Sequence, residues 1–279
     1  MDQLTLEFLG GFQGTLHRRP LPGLRTRKGA ALLIYMVTEE AMHRRMALSH
    51  APRRFDRQRL MALLWPDHDR PSAQNNLRQT LFHLRHAFHD VPHRQGDGVV
   101  SLVAADRGAV WISPDAALTS DLAQFVGLLR GQGDGQCLAS LPLDPAVCRG
   151  MLEAAAALYR GDFLEGVDLA DAQPFQEWAL FRQEALRRQA LEVLEALALL
   201  CLHTGDLGCA EAAARRQISM DALREPAYRQ LMLALTLGGH RGRALRVYDA
   251  LTQRLRTDLG VPPASDTRRL HAAVLAETV

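Results

Sequence analysis

The sequence predicts an α+β winged helix-turn-helix followed by an all-α, tetratricopeptide-repeat-like domain, and three features carry that expectation. The first is the order of patterns in residues 1–113: short alternating strands, three helices with the last two separated by a short turn, then a hairpin. A pair of helical segments that repeats at an offset of 34 residues is the second. The third is a change of charge and composition. Residues 1–113 carry 16 Lys and Arg against 10 Asp and Glu, with 8 of the 11 histidines, whereas residues 114–279 carry 17 against 21 and turn to Ala- and Leu-rich helices. A winged-helix domain over 1–113 and a helical domain over 114–279 are therefore expected. The basic first part suggests a polyanionic partner.

Taken in order, "LTLEFLGGFQGTLHRR" alternates at Leu4, Leu6 and Phe8, breaks at Gly10-Gly11 and resumes at Phe12 and Leu16, a pair of short strands. "KGAALLIYMVTEE" is an apolar helix, and "AMHRRMALSHAPRR" reads either as its extension or as a polar loop. In "DRQRLMALLW", Asp56 is the expected N-cap, Leu60, Leu63 and Leu64 the inward positions, and Pro66 the stop. After the turn "PDHDRP" comes "SAQNNLRQTLFHLRHAF", the third helix. "GVVSLV" and "AVWI", joined by "AADRG", form a wing over 99–112 with Arg107 at its tip.

The third helix holds both asparagines of the chain and no carboxylate. At about 100° per residue, Ala73, Leu77, Thr80, Leu81, Leu84, Ala87 and Phe88 share one face. The opposite face presents Gln74, Asn75, Arg78, Gln79, Phe82, Arg85 and His86. Exposed helix faces ordinarily mix acids with Lys or Arg, because opposite charges one turn apart support the helix. Here acids are missing, and Arg, Asn and Gln have the donor and acceptor geometry that reads guanine and adenine in the major groove. Phe82 either meets a thymine methyl or packs under a neighbouring loop. The expected recognition helix is 72–89, read through Asn75, Arg78, Gln79, Phe82, Arg85 and His86, with Arg107 on the adjacent backbone or minor groove.

Beyond residue 114, helices are expected near 144–159, 174–203, 206–219, 226–237, 241–257 and 266–276, with "GLLRGQGDGQ" as a loop. Laying "HTGDLGCAEAAARR" over "LGGHRGRALRVYDA" matches Gly205 with Gly239, Gly208 with Gly242, Ala210 with Ala244 and Ala213 with Val247. Such repeats bind partners rather than perform chemistry. The cysteines Cys137, Cys148, Cys201 and Cys209 form no C-x-x-C pair and read as reduced core thiols, with a disulfide or a metal role as the lesser option.

Other chemistries find little support. His83, His86, His89 and His93 drift around a helix with no Cys or Glu to complete a metal site. Asp162, Glu165, Asp168 and Asp171 lack the alternation of a calcium loop and read as a solvated loop or helix cap. No phosphate-binding loop, zinc-protease or serine-hydrolase motif occurs, so no enzyme, metal or cofactor is expected. Neither a signal sequence nor a membrane span is apparent, and a soluble, cytoplasmic protein with no membrane partner is the expectation.

"KGAALLIYMV", "RQRLMALLWPD" and "AQNNLRQTLFHLRHAF" resemble the OmpR-type winged helix of the antibiotic-regulatory-protein family of bacterial transcriptional activators. "LYRGDFLEGVDLADAQPFQEW" and "REPAYRQLMLALTLGGHRGRALRVYDALTQRLRTDLGVPPASDTRRLH" resemble the bacterial transcriptional activator domain that follows it. The resemblance implies an activator on double-stranded promoter DNA, working with RNA polymerase or other transcription proteins, often as a homodimer on direct repeats. Asn75, Leu77, Leu84 and Arg85 fit the recognition-helix pattern, whereas His83 and His86 stand where members often carry Arg, and the insertion near 39–54 is long for the family. Many relatives append a nucleotide-binding or cyclase module; here signal input is expected through the helical domain, expression level or another protein. The competing class is an adaptor in which the repeat domain binds proteins and the winged helix binds no DNA.

Overall fold

Leu4–Glu7 (β1) and Gln13–Leu16 (β2) pair antiparallel, with Thr5 opposite Thr15, as the alternating pattern requires. Gly10 and Gly11 turn the chain between them at φ of 104° and 102°, a left-handed region open to glycine and costly for other residues. The computed structural model describes residues 3–278 apart from 18, 22, 23, 25, 47–50, 96, 97 and 130–143. Cys137 and most of the expected glycine loop lie outside the described residues.

Arg19–Pro20 (β3) extends this sheet on one side, while Leu118–Ser120 (β9) pairs parallel with β1 on the other. The central helix is Arg27–Met46 (α1), buried all round from Ala31 to Val37. Phe55–Asp56 (β4), Arg57–Leu64 (α2) and Arg70–Ala87 (α3) follow, then Val91–Pro92 (β5), Val99–Val100 (β6), Val103–Ala105 (β7) and Ala109–Ile112 (β8). β7 and β8 form an antiparallel hairpin, and β4 joins it in the order β4-β8-β7. Asp121–Leu128 (α4), N-capped by Ser120, packs on α1. The remaining elements are Pro145–Leu158 (α5), Gln173–His203 (α6), Leu207–Met220 (α7), Glu225–Leu237 (α8), Arg241–Asp258 (α9) and Ser265–Leu275 (α10).

The chain does not divide once near residue 113. One compact unit comprises Met1–Gly131 with Leu158–Arg187, the other Gln132–Ala157 with Arg188–Val279. Two buried carboxylates explain why the later segment joins the first unit. Glu39, on α1 and 3% exposed, accepts hydrogen bonds from Trp178 Nε1 at 2.9 Å and Arg182 Nε at 2.8 Å, and pairs with Arg53 at 2.8 Å. Asp121 accepts from the Phe8, Leu9 and Leu122 amides and from Arg160. Burial pushes the Asp121 carboxyl above its ordinary range, and the three amides and Arg160 oppose that rise. Such charges persist in an interior because they are fully paired.

In the second unit the repeat is physical. Gly205 and Gly239 both sit at helix C-termini with φ of 78° and 75°, and the matched Ala210 and Ala244 are both fully buried. Small side chains at those positions suit the close packing of α7 and of α9, each against α8. The cysteine reading needs correction: Cys201 and Cys209 are joined as a disulfide, with Cα atoms 5.9 Å apart. Their separation suggested no motif, but the turn at Gly205 folds the last turn of α6 back onto the first turn of α7 and brings the two sulfurs together. Cys148 is a buried free thiol. Among the described residues, no helix is long and apolar enough to cross a membrane.

Candidate nucleic-acid interface

α2 begins as its sequence specifies, with the Asp56 carboxylate accepting from the Arg59 amide at 3.0 Å. Leu60 and Leu64 are buried, while Leu63 is half-buried. Lys28 Nζ donates to the Leu64 carbonyl at the end of α2, a basic cap on an orphan acceptor, and pairs with Asp171 at 3.2 Å. Trp65, 6% exposed, anchors the turn that leads into α3.

α3 starts at Arg70, two residues before the expected start, with Pro71 in its first turn, and ends at Ala87 rather than at residue 89. Ala73, Leu77, Thr80, Leu81, Leu84 and Phe88 are buried, and Ala87 half-buried. Gln74, Asn75, Arg78, Gln79, Phe82, Arg85 and His86 are all exposed. Phe82 is 65% exposed, so it does not pack under a loop; its ring lies near-parallel to that of His86, with centroids 6.5 Å apart. Arg78 Nη2 donates to Asn75 Oδ1 at 2.6 Å, which orients two polar groups on the same surface. Arg85 has a different commitment: its Nε donates to the Val103 carbonyl of β7 at 3.2 Å. That bond fastens the helix to the wing.

The wing is narrower than the sequence suggested. Val99–Val100 pairs with Val91–Pro92, not with the hairpin, so the wing proper is Val103–Ile112. Alternation alone cannot distinguish these partners, because both strands are short and apolar. Arg107 is exposed at the tip. Beneath it, Asp106 Oδ1 accepts from the Gly108 and Ala109 amides at 2.9 and 2.7 Å, and its other carboxylate oxygen pairs with Arg54. The Ala109 and Gly108 amides and then Arg54 hold the Asp106 carboxyl below its usual range. Arg57 donates to the Asp106 carbonyl through Nε and Nη2 at 3.2 and 3.0 Å, and the Arg54 guanidinium lies 4.3 Å from the centre of the Trp111 ring. Arg54 and Arg57 were not singled out in the sequence. Nothing local there shows that Arg54 meets the Asp106 carboxylate, and Arg57 its backbone carbonyl, about fifty residues further on.

The acids of "GDFLEGVDLADAQPF" do not converge: Asp162 accepts from Tyr159 and Gln183, Asp168 from Gln176, and Asp171 pairs with Lys28. Among the described residues, no three His, Cys, Asp or Glu side chains form a metal-binding group.

Residues 121–275 match the model of the bacterial transcriptional activator domain, more than half of the chain. The chain belongs to the bacterial transcriptional activator domain family. It is 32% identical over 142 residues to the transcriptional regulator RedD of Streptomyces coelicolor, an alignment that covers 51% of this chain and 39% of RedD. In fold it is similar to Mycobacterium tuberculosis EmbR, solved in complex with a low-affinity phosphopeptide, with a TM-score of 0.71 at 22% identity over 100% of this chain and 66% of that one. The chain thus spans about two fifths of RedD and about two thirds of EmbR. The family's domain starts at α4 and includes residues 158–187, both of which fold with the winged helix.

Proposed function

We propose that this chain is a sequence-specific DNA-binding transcriptional activator, with α3 in the major groove and the β7–β8 wing on the adjacent backbone or minor groove. One observation carries the reading: an exposed helix face of Gln74, Asn75, Arg78, Gln79, Phe82 and His86, without a carboxylate, lies beside a wing tipped by Arg107. Phosphates are attracted rather than repelled there, and Arg78, Asn75 and Gln79 match base-edge geometry. Arg85 serves as a positioning residue, holding the wing strand to α3. Support also comes from membership of a family of transcriptional activator domains and from the likeness to RedD, itself named a transcriptional regulator. RNA polymerase or another transcription protein is the proposed second partner, and a homodimer the proposed assembly on direct repeats.

Selection of bound fragments from sheared genomic DNA by the purified chain, at several salt concentrations, tests the reading. A shared motif should emerge, with affinity falling steeply as salt rises, and Arg78→Ala should reduce enrichment. Absence of any motif, or unchanged enrichment with Arg78→Ala, removes α3 as the reading element and favours the adaptor class.

A further inference from the structure

A groove of about 280 Å3 opens where the segment after α5 meets the first half of α6. Its floor is Phe163, Leu164 and Phe175, none more than 5% exposed, and its rim includes Val167, Ala179 and Leu180. Leu164 takes a left-handed φ of 58°, fixed by its amide bonding to the Phe8 carbonyl and its own carbonyl accepting from Val167, both at 2.9 Å. Leu180 and Phe181 stand 64% and 68% exposed next to it. Single exposed apolar residues are ordinary on protein surfaces; an adjacent Leu–Phe pair continuous with an apolar groove is a surface built for contact.

Charge narrows what that contact is. Residues 163–184 contain Glu165, Asp168, Asp171, Glu177 and Glu184, against one Arg or Lys, Arg182, which the buried Glu39 holds; of these acids Asp171 is paired with Lys28. Asp168 lines the groove, and Glu177 and Glu184 lie one turn to either side of the Leu180–Phe181 pair. Gln173 and Gln176 donate to Glu177 and Asp168, but neutral amides leave those charges uncompensated. Nucleic acid and anionic lipid are repelled by such a rim. A second copy docked about a two-fold axis would set the same acids against each other. The volume lies at the lower end for small-molecule pockets and suits an apolar side-chain anchor.

We propose that this acid-rimmed groove and ridge dock a basic amphipathic helix of a partner protein, with its apolar stripe on Leu180, Phe181 and the groove and its Lys or Arg flanks on Asp168, Glu177 and Glu184. The site is separate from α3 and does not depend on the DNA reading.

A fluorescently labelled synthetic peptide of about 18 residues, five helical turns, with Leu at helical spacing and Lys elsewhere, provides the probe, and its anisotropy is followed with the full chain. Binding should be at least about tenfold tighter than for a shuffled peptide of the same composition or for the same stripe with Glu in place of Lys. Leu180→Ser/Phe181→Ser and Glu177→Lys/Glu184→Lys should each cost about tenfold. All four side chains are exposed, and an unchanged melting curve keeps these comparisons valid. Equal binding of the shuffled peptide, or indifference to Leu180→Ser/Phe181→Ser, overturns the proposal. So does a dimer in sedimentation that Leu180→Ser dissociates, which assigns the face to a second copy. The same variants should retain α3-dependent DNA binding; loss of peptide binding with DNA binding intact separates this proposal from the preceding one.

Discussion

Phe82 on α3 and Phe181 on α6 are exposed to nearly the same extent, 65% and 68%, on helices of the same compact unit, yet their neighbours are opposite in kind. Around Phe82 stand Arg78, Gln79, His83 and His86; around Phe181 stand Glu177, Glu184 and Leu180, with the guanidinium of Arg182, which Glu39 holds, 6.0 Å from the ring centre. An exposed aromatic ring by itself says little about what it touches. The charge pattern one turn to either side decides which partners can approach closely enough for the ring to matter. Polyanions can reach the first face, and cationic apolar segments the second.

The largest effect is expected where both faces depend on one buried charge. Glu39→Ala leaves Arg53, Arg182 and the Trp178 indole N–H without their acceptor, and should cost about 3–5 kcal/mol of the first unit's stability; urea unfolding followed by Trp fluorescence measures it. Both binding activities should fall together. Next, Arg78→Ala should weaken DNA binding by about 1–3 kcal/mol and leave the peptide affinity of the acidic face unchanged. Titration of labelled operator and of labelled peptide with one protein preparation reads both numbers, and a parallel loss of the two would end the idea of independent faces. Arg85→Ala removes one bond to the Val103 carbonyl and should lower DNA affinity by about 1 kcal/mol, with increased amide exchange in β7 as the mark of a loosened wing. Smallest is a pH effect at the wing tip. Because the folded-state carboxyl of Asp106 is depressed, the turn it holds is fully formed above the unfolded carboxyl's range and is lost as pH falls through the lower, folded value. The Gly108 and Ala109 amide resonances should therefore shift only below the ordinary carboxylate range, and Asp106→Asn should remove that titration.

How much of this was legible without coordinates differs between the two faces. α3 declared itself because one helical period sorts Ala73, Leu77, Leu81 and Leu84 from Asn75, Arg78, Gln79 and Phe82 without reference to anything distant. The acidic face did not. Asp162, Glu165, Asp168 and Asp171 read as a solvated loop, and whether Leu180 and Phe181 point to a core or to solvent depends on which side of α6 packs on Phe163 and Tyr35. Trp178, between them and the core, faces inward and touches both rings.

By itself the sequence determined what local periodicity and turn chemistry dictate: the two faces of α3, the Asp56 cap, the glycine turn between β1 and β2, and the 34-residue repeat whose Gly205 and Gly239 take matching left-handed turns. Tertiary structure alone decided the pairings, most of them between residues far apart in the chain and one, Cys201 with Cys209, only eight positions apart. Those are β9 beside β1, Arg85 on the Val103 carbonyl, Arg54 and Arg57 under the wing tip, the Cys201–Cys209 bridge, and Arg182 on Glu39, 143 positions away. A side chain's period records which face is buried. It carries no record of the partner that buries it, because many surfaces of equal polarity satisfy the same pattern and only the packed chain selects among them.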